Sequence, residues 1–362
     1  MLKLKNVASR ILRDDRKLLR FSPLLIASFM YRGAVILRNH FYDAGIFHAQ
    51  SMKCRVISVG NIIVGGTGKT PVVIMLAGML KEHGYRPAIL SRGYGGKKER
   101  HTGVVSDGHD ILMGANEAGD EPVLIANSLK GVPVIIGKER FPAGELAVER
   151  FGADVLILDD AFQHRRLSRD IDIVLLDSEN PFGNGFMLPR GGLREPQKGL
   201  QRADAIIFTS TEGSADPAAD NMPAVEIPQL PTFRGYRRAR GLIGGEAQDI
   251  LPLEYLKGKR ICAFSGIANP DSFRNILGPL CGEITAFIPF PDHHVYTGGD
   301  IEHILEACRD SRAELILTTE KDGIKLIKFP DFFRDVYRLK MEMEITPSSL
   351  NFKEYILTRL ET

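Results

Sequence analysis

Apolar residues in this chain fall into short, β-branched runs separated by longer stretches with helical spacing. Arg55-Val56-Ile57-Ser58-Val59 predicts a buried strand, and Val72 to Lys81 a helix after it. The alternation continues, with strands at Ala88-Ile89-Leu90-Ser91 and Val132 to Ile136 and helices at Glu121 to Leu129 and Glu139 to Phe151. Val155-Leu156-Ile157-Leu158, Ile171 to Leu176 and Ala205 to Phe208 are further strands. Strands this apolar bury both faces, which predicts a parallel sheet covered by helices. Glu212 to Pro231, rich in Pro, Ala, Asp and Ser and without a strong period, reads as a linker. A second α/β set follows at Arg260 to Phe264, Ser272 to Leu277, Ile284 to Ile288, Ile301 to Cys308 and Leu315 to Leu317.

Between the first strand and first helix lies Val59-Gly60-Asn61-Ile62-Ile63-Val64-Gly65-Gly66-Thr67-Gly68-Lys69-Thr70-Pro71. Strand, glycine loop, Gly-Lys-Thr and helix is the order that sets backbone N–H groups and a helix N-terminus around a polyphosphate. Gly65, Gly66, Thr67 and Gly68 would cradle the phosphates, Lys69 would reach the β- and γ-phosphates, and Thr70 would hold Mg²⁺. The strict pattern places Gly six positions before the Lys, where this chain has Ile63. Val155 to Leu158 ends in Asp159-Asp160, and a carboxylate at such a strand end holds Mg²⁺ in nucleotide-cleaving folds. An N-cap aspartate would look the same. Asp120 opens a helix as either a cap or a general base. Pro189-Arg190-Gly191-Gly192-Leu193-Arg194 is either a phosphate-covering loop or a solvated turn, and Asp292-His293-His294 a metal, acid/base or merely polar cluster.

A net charge of +2 says little, but residues 1–40 carry nine Lys/Arg against Asp14 and Asp15. The apolar run from Phe21 is broken by Arg32, short of the about twenty residues a membrane span needs. Spacing leaves two readings open: an interfacial anchor on an anionic leaflet, or an amphipathic helix packed on its own core. The charged first twenty residues, with no small-residue cleavage site after the apolar run, exclude a secretory signal. Scattered Cys54, Cys262, Cys281 and Cys308 have no zinc spacing and read as free thiols of a reducing cytosol. Basic residues without an aromatic platform give no nucleic-acid reading, and no obligate protein partner is evident. A guanine-reading Asn-Lys-x-Asp is also missing, since Lys321 stands directly beside Asp322.

The pieces together resemble the tetraacyldisaccharide 4′-kinases, the lipid A 4′-kinases of Gram-negative bacteria. The resemblance is carried by Gly60-Asn61 through Gly65-Gly66-Thr67-Gly68-Lys69-Thr70-Pro71, Leu90-Ser91-Arg92-Gly93-Tyr94-Gly95 and Gly119-Asp120-Glu121-Pro122. It continues through Asp159-Asp160-Ala161-Phe162-Gln163-His164, Leu193-Arg194-Glu195-Pro196, Pro291-Asp292-His293-His294 and Thr318-Thr319-Glu320-Lys321-Asp322. Ile63 fits this family's loop, while Ala161 stands where Gly is expected. The resemblance implies transfer of the ATP γ-phosphate to the 4′-hydroxyl of tetraacyldisaccharide 1-phosphate, giving lipid IVA, with ATP and Mg²⁺ required. It implies Asp120 as catalytic base with His293 as its partner, beside Lys69. Thr70, Asp159, Asp160 and Glu195 would form the metal set, and Ser91, Arg92 and Arg194 would contact substrate. It also implies association with inner-membrane phospholipid at the cytoplasmic face, through the N-terminus. The expected organisation is an N-terminal membrane-associating segment at 1–50, a P-loop kinase core at 51–211, a linker at 212–240 and a smaller α/β domain at 241–362. The last ~25 residues are free to return to the core. The alternative is a membrane-associated P-loop switch ATPase or GTPase.

Overall fold

A computed structural model describes residues 23–211, 229–245, 250–346 and 351–361. The basic residues from Lys3 to Arg20, Phe21, and residues 212–228 of the expected linker lie outside these. The β-branched runs form β1 (Arg55–Asn61), β2 (Pro87–Ser91), β3 (Gly103–Ser106), β4 (Val134–Ile136), β5 (Val155–Asp159), β6 (Ile171–Asp177) and β7 (Ala205–Thr211). Helices α1 (Pro23–Asp43), α2 (Lys69–Glu82), α3 (Ala115–Ala118), α4 (Asp120–Ser128) and α5 (Arg140–Phe151) belong to the same half. The second half holds β8 (Thr232–Gly244), β9 (Ile250–Leu251), β10 (Arg260–Ser265), β11 (Glu283–Pro289), β12 (Leu315–Thr319) and β13 (Val336–Thr346). Its helices are α6 (Pro270–Leu277), α7 (Gly298–Asp310), α8 (Glu320–Leu326), α9 (Pro330–Asp335) and α10 (Phe352–Glu361).

The described strands join in one sheet, in the order β11-β10-β12-β13-β8-β7-β6-β1-β5-β2-β4-β3, with β9 beside β8. The expected parallel sheet is found in β7-β6-β1-β5-β2-β4, and antiparallel strands extend it: β3 runs against β4, and β13 against β8. The linker expected over 212–240 ends earlier, because Thr232–Gly244 is a strand. Its many arginines hid it. Arg238 and Arg240 pair with Glu344 across the ladder at 3.2 and 2.9 Å, and one face carries these pairs while Phe233 points into the core.

Period-2 alternation sorts β1 between two layers. Ile57 and Val59 pack with Val72, Leu76 and Leu80 of α2, while Val56 packs with Ala143 and Ala147 of α5 on the other face. Phe352, Ile356 and Leu360, one stripe of α10, join the α2 layer, with Phe352 edge-on to Phe233 at 5.0 Å. In α1, Val35 is buried, Ser28 Oγ donates to Met187 O at 2.8 Å, and the Tyr31 hydroxyl donates to Arg194 O at 3.2 Å. Its other side exposes Phe29 (60%) and Met30 (72%), beside Ile26, Ile36 and Leu37. No helix among the described residues is long and apolar enough to cross a membrane.

Candidate active site

The site forms at the carboxyl ends of β1, β5 and β2, where an open α/β sheet leaves its crevice. The chain leaves β1 at Asn61 and enters α2 at Lys69. Gly65 and Gly68 take φ of +136° and +80°, left-handed values that favour glycine, and Gly68 is the N-cap. The loop is pinned from two sides. Asn61 Nδ2 donates to Thr67 Oγ1 at 3.0 Å, and Thr209 Oγ1 donates to Thr67 O at 2.9 Å. Lys69 Nζ folds back over the loop, 3.4 Å from Gly65 O and 3.8 Å from Asp160 Oδ1. The first-turn amides of α2, which include that of Thr70, and the positive end of the helix face the same space.

Asp159 closes β5, buried opposite Val59. Ser91 Oγ donates to its Oδ2 at 3.1 Å, while Oδ1 has no donor among the described residues. Burial pushes its carboxyl up to about 7, and the nearby Glu121 and Asp160 carboxylates add to this. Asp160 follows in a left-handed conformation, φ +49°. Burial acts to raise it too, but Lys69 and Arg194 outweigh that and hold it below the usual carboxylate range. Arg194 Nη1 lies 2.7 Å from Asp160 Oδ1 and 3.2 Å from Asn61 Oδ1, clamping the carboxylate.

An unpaired buried carboxylate oxygen with a second carboxylate next to it in the chain is hard-oxygen chemistry that fits Mg²⁺. Asp159, Asp160 and Thr70 would hold the ion. A testable consequence follows from linkage. Because the folded pKa of Asp159 is raised, its protonated form contributes stability below the unfolded value, and this is lost as pH rises through about 7. Added Mg²⁺ should therefore raise Tm more at about pH 8 than at about pH 6, and Asp159→Asn should flatten the difference. Equal Tm gains at both pH values would remove Asp159 from the cation site.

Two sequence expectations change at this site, those for Glu195 and Ser91, and an open alternative closes at Asp120. Glu195 is not turned to the metal set: fully buried, it takes both Arg202 Nη atoms at 2.6 and 2.8 Å and Asn39 Nδ2 at 3.1 Å. Its chain neighbour Arg194 pairs with Asp160 instead. Ser91 is buried beneath Asp159, orienting it rather than meeting substrate, and Arg92 pairs with Glu99 at 2.8 Å. Asp120 is not the N-cap of α4. Gly119 is, at φ +91°, so Asp120 is the first helical residue with its side chain free of cap duty.

That freedom sends the Asp120 carboxylate across to the second half of the chain. His293 Nδ1 lies 3.4 Å from Asp120 Oδ2, with His293 in a left-handed conformation (φ +56°) and edge-on to the exposed Tyr94 ring at 6.0 Å. A histidine held at positive φ is a strained feature of the kind that gathers at functional sites. Lys321 Nζ sits 3.3 Å from His293 Nε2; an ammonium can only donate, so Nε2 accepts and Nδ1–H points to Asp120. His294 is taken up elsewhere, 3.1 Å from Asp300 and stacked on Phe290. Lys325, which spacing did not single out, lies 3.5 Å from Asp120. The signal was present: Lys321 and Lys325 are four apart, on one face of any helix.

A glycine loop with a lysine and a threonine at a helix start, two carboxylates at the adjacent strand end and a carboxylate–histidine pair that joins the two halves of the chain define a P-loop phosphotransferase. A sequence profile described as Tetraacyldisaccharide-1-P 4'-kinase matches residues 21–361. The chain belongs to this family. It is 49% identical over 359 residues to a tetraacyldisaccharide 4'-kinase of Syntrophus aciditrophicus, covering 96% of this chain and 95% of the relative. It is 42% identical over 325 residues to the one of Geobacter metallireducens, covering 89% and 93%. Among solved structures it resembles LpxK from Aquifex aeolicus in complex with ATP, with TM-score 0.75 and 34% identity, covering 93% of this chain and 98% of that one. The chain is thus an ATP-dependent kinase of lipid A biosynthesis that phosphorylates a lipid A disaccharide precursor, and the switch-ATPase alternative falls away.

Proposed function

We propose that this chain phosphorylates the 4′-hydroxyl of tetraacyldisaccharide 1-phosphate with Asp120 as the group that takes the hydroxyl proton and His293 as its orienting partner. The observation that carries the assignment is the approach of His293 Nδ1 to Asp120 Oδ2 at 3.4 Å. In phosphoryl transfer the protein mainly positions groups and neutralises charge. The loop amides from Gly65 to Thr70 bind the nucleotide phosphates, and Lys69 neutralises the γ-phosphate. Asp159, Asp160 and Thr70 are the groups to hold Mg²⁺, which when bound would offset charge on the phosphate oxygens. Arg194 keeps Asp160 in place, and Arg194 together with the half-exposed Arg92 supplies positive charge for an anionic substrate. We read the chain as two α/β units joined through the β8–β13 ladder, with the substrate sugar between them. The test is transfer of ³²P from γ-labelled ATP to the tetraacyldisaccharide 1-phosphate in micelles, with Lys69→Ala beside it. Labelled lipid that vanishes with Lys69→Ala supports the assignment; ATP hydrolysis without labelled lipid overturns the acceptor.

We further propose that α1 rests on phospholipid at the cytoplasmic face of the inner membrane. Its inward face is fixed by Ser28, Tyr31 and Val35, while Phe29 and Met30 face out. An apolar face of this kind lies in the headgroup boundary rather than across it. In flotation with anionic vesicles, Phe29→Glu with Met30→Glu should lose most of the bound fraction. Undiminished flotation would place the contact elsewhere.

A further inference from the structure

Neither the phosphate loop nor the Asp120–His293 pair accounts for the helix that faces them from the C-terminal half, α8. It starts from a fixed point. Thr319 Oγ1 donates to Asp322 Oδ2 at 2.7 Å and accepts from the Asp322 amide at 3.1 Å, and the Gly266 amide donates to the same carboxylate at 2.9 Å. Asp322 is fully buried. From this base Lys321 and Lys325, one turn apart, reach the start of α4. Lys321 Nζ meets Glu121 Oε1 at 3.3 Å. Lys325 Nζ lies between two carboxylates, 3.2 Å from Asp322 Oδ1 and 3.5 Å from Asp120 Oδ2, with its side chain only 7% exposed.

A buried ammonium requires anions, and Asp322 alone would neutralise this one. The second approach, to Asp120, goes beyond that need. We propose that Lys325 is a positioning residue for phosphoryl transfer: anchored on Asp322, it keeps the Asp120 carboxylate ionised and turned toward His293. This rests on the reading of Asp120 as the base. It makes the base a joint product of two distant segments, so that Asp120 is set only when α8 is docked on α4.

The charges around Asp120 agree with this. Burial acts to raise its pKa, yet His293, Lys325 and Lys321 together hold it below the usual carboxylate range. Glu121 is paired with Lys321, and the buried Tyr296 phenol lies within electrostatic reach. Lys325 is the lysine nearest to the Asp120 carboxylate. Removing it leaves burial less opposed, so Asp120 should take up a proton at a higher pH.

The experiment measures kcat for phosphoryl transfer with both substrates saturating, from about pH 5 to about pH 9, for the unsubstituted protein, Lys325→Met, Lys325→Arg and Asp120→Asn. For Lys325→Met the ratio of kcat at pH 5 to kcat at pH 8 should fall about tenfold below that of the unsubstituted protein, with KM for ATP little changed. Lys325→Arg should restore the ratio. Lys325→Gln, which keeps a donor to Asp322 without the charge, is read in place of Lys325→Met if the latter does not fold. A loss that is the same at every pH, tracking Tm, would make Lys325 a packing residue and overturn the proposal. Were Asp120→Asn to keep full activity, the assignment of the base would fail and this proposal with it. An inactive Asp120→Asn beside a pH-independent Lys325→Met would sink the lysine's role alone.

Discussion

Replacing Asp120 with asparagine should lower kcat by about 10²–10⁴, the range for a lost general base, while KM for ATP barely moves. The separation follows from where the groups sit. The phosphate loop, Lys69 and the Asp159–Asp160 pair form on β1, β5 and α2, while Asp120 reaches out from α4 to His293. Asparagine keeps the size and a hydrogen-bonding oxygen for His293 Nδ1–H but cannot take a proton. Since Lys325, Lys321 and His293 hold Asp120 ionised, the unsubstituted enzyme has its base ready across the neutral range. The loss should therefore persist up to the alkaline end of the profile. His293→Ala should cost less than Asp120→Asn, because Lys325 would still hold the carboxylate. A kcat for Asp120→Asn within severalfold of the original would reduce Asp120 to a helix-start residue. Steady-state kinetics with labelled ATP and micellar acceptor decides this.

How much of the fold and site was legible in the sequence depends on which kind of signal each part carried. The strands around the site were legible because Val56, Ile57, Leu156, Leu158, Ile173 and Leu175 are buried on both faces, and apolar runs have no other soluble use. The phosphate loop was legible because its glycines and lysine fall together in Gly65-Gly66-Thr67-Gly68-Lys69. β8 and β13 were not. Their outward positions carry Arg238, Arg240, Glu342 and Glu344, which look like solvated charge until the two strands are paired. Motif membership located Glu195 and Ser91 near the site but could not say which way either side chain turns. For Glu195 that direction is fixed by Arg202 and by Asn39 of α1; for Ser91, by the extended pleat of β2 beside Asp159. Lys325 shared a helix face with Lys321, but its role could not be read for a related reason: its meaning lies in two carboxylates, one far away in sequence. Sequence spacing reports what a helix face can present, and the fold alone decides what the face meets.

Arg202→Ala should destabilise the folded chain by about 3–5 kcal/mol, because it leaves Glu195 as a buried charge without its main partner. Arg202 meets Glu195 through two Nη atoms, donates to Phe162 O at 2.7 Å and stacks over the Phe162 ring at 3.6 Å. Arg38, 3.6 Å away and more exposed, could compensate only in part. Phe162 in turn touches β1, where a Cβ on Gly60 would come within 2.6 Å of its own Cβ, so loss of Arg202 would loosen the floor beneath the phosphate loop. Glu195→Gln separates this structural account from the metal-binding expectation. A glutamine keeps a hydrogen-bonding oxygen for Arg202 but gives up the ion pair, so it should lower Tm by less than Arg202→Ala and leave the Mg²⁺ concentration for half-maximal activity unchanged. A Glu195 that held the metal would behave in the opposite way, with Tm nearly intact and a Mg²⁺ requirement many times higher. Thermal melts of both variants beside a Mg²⁺ titration of kcat distinguish the two, and the bidentate geometry at 2.6 and 2.8 Å predicts the first pattern.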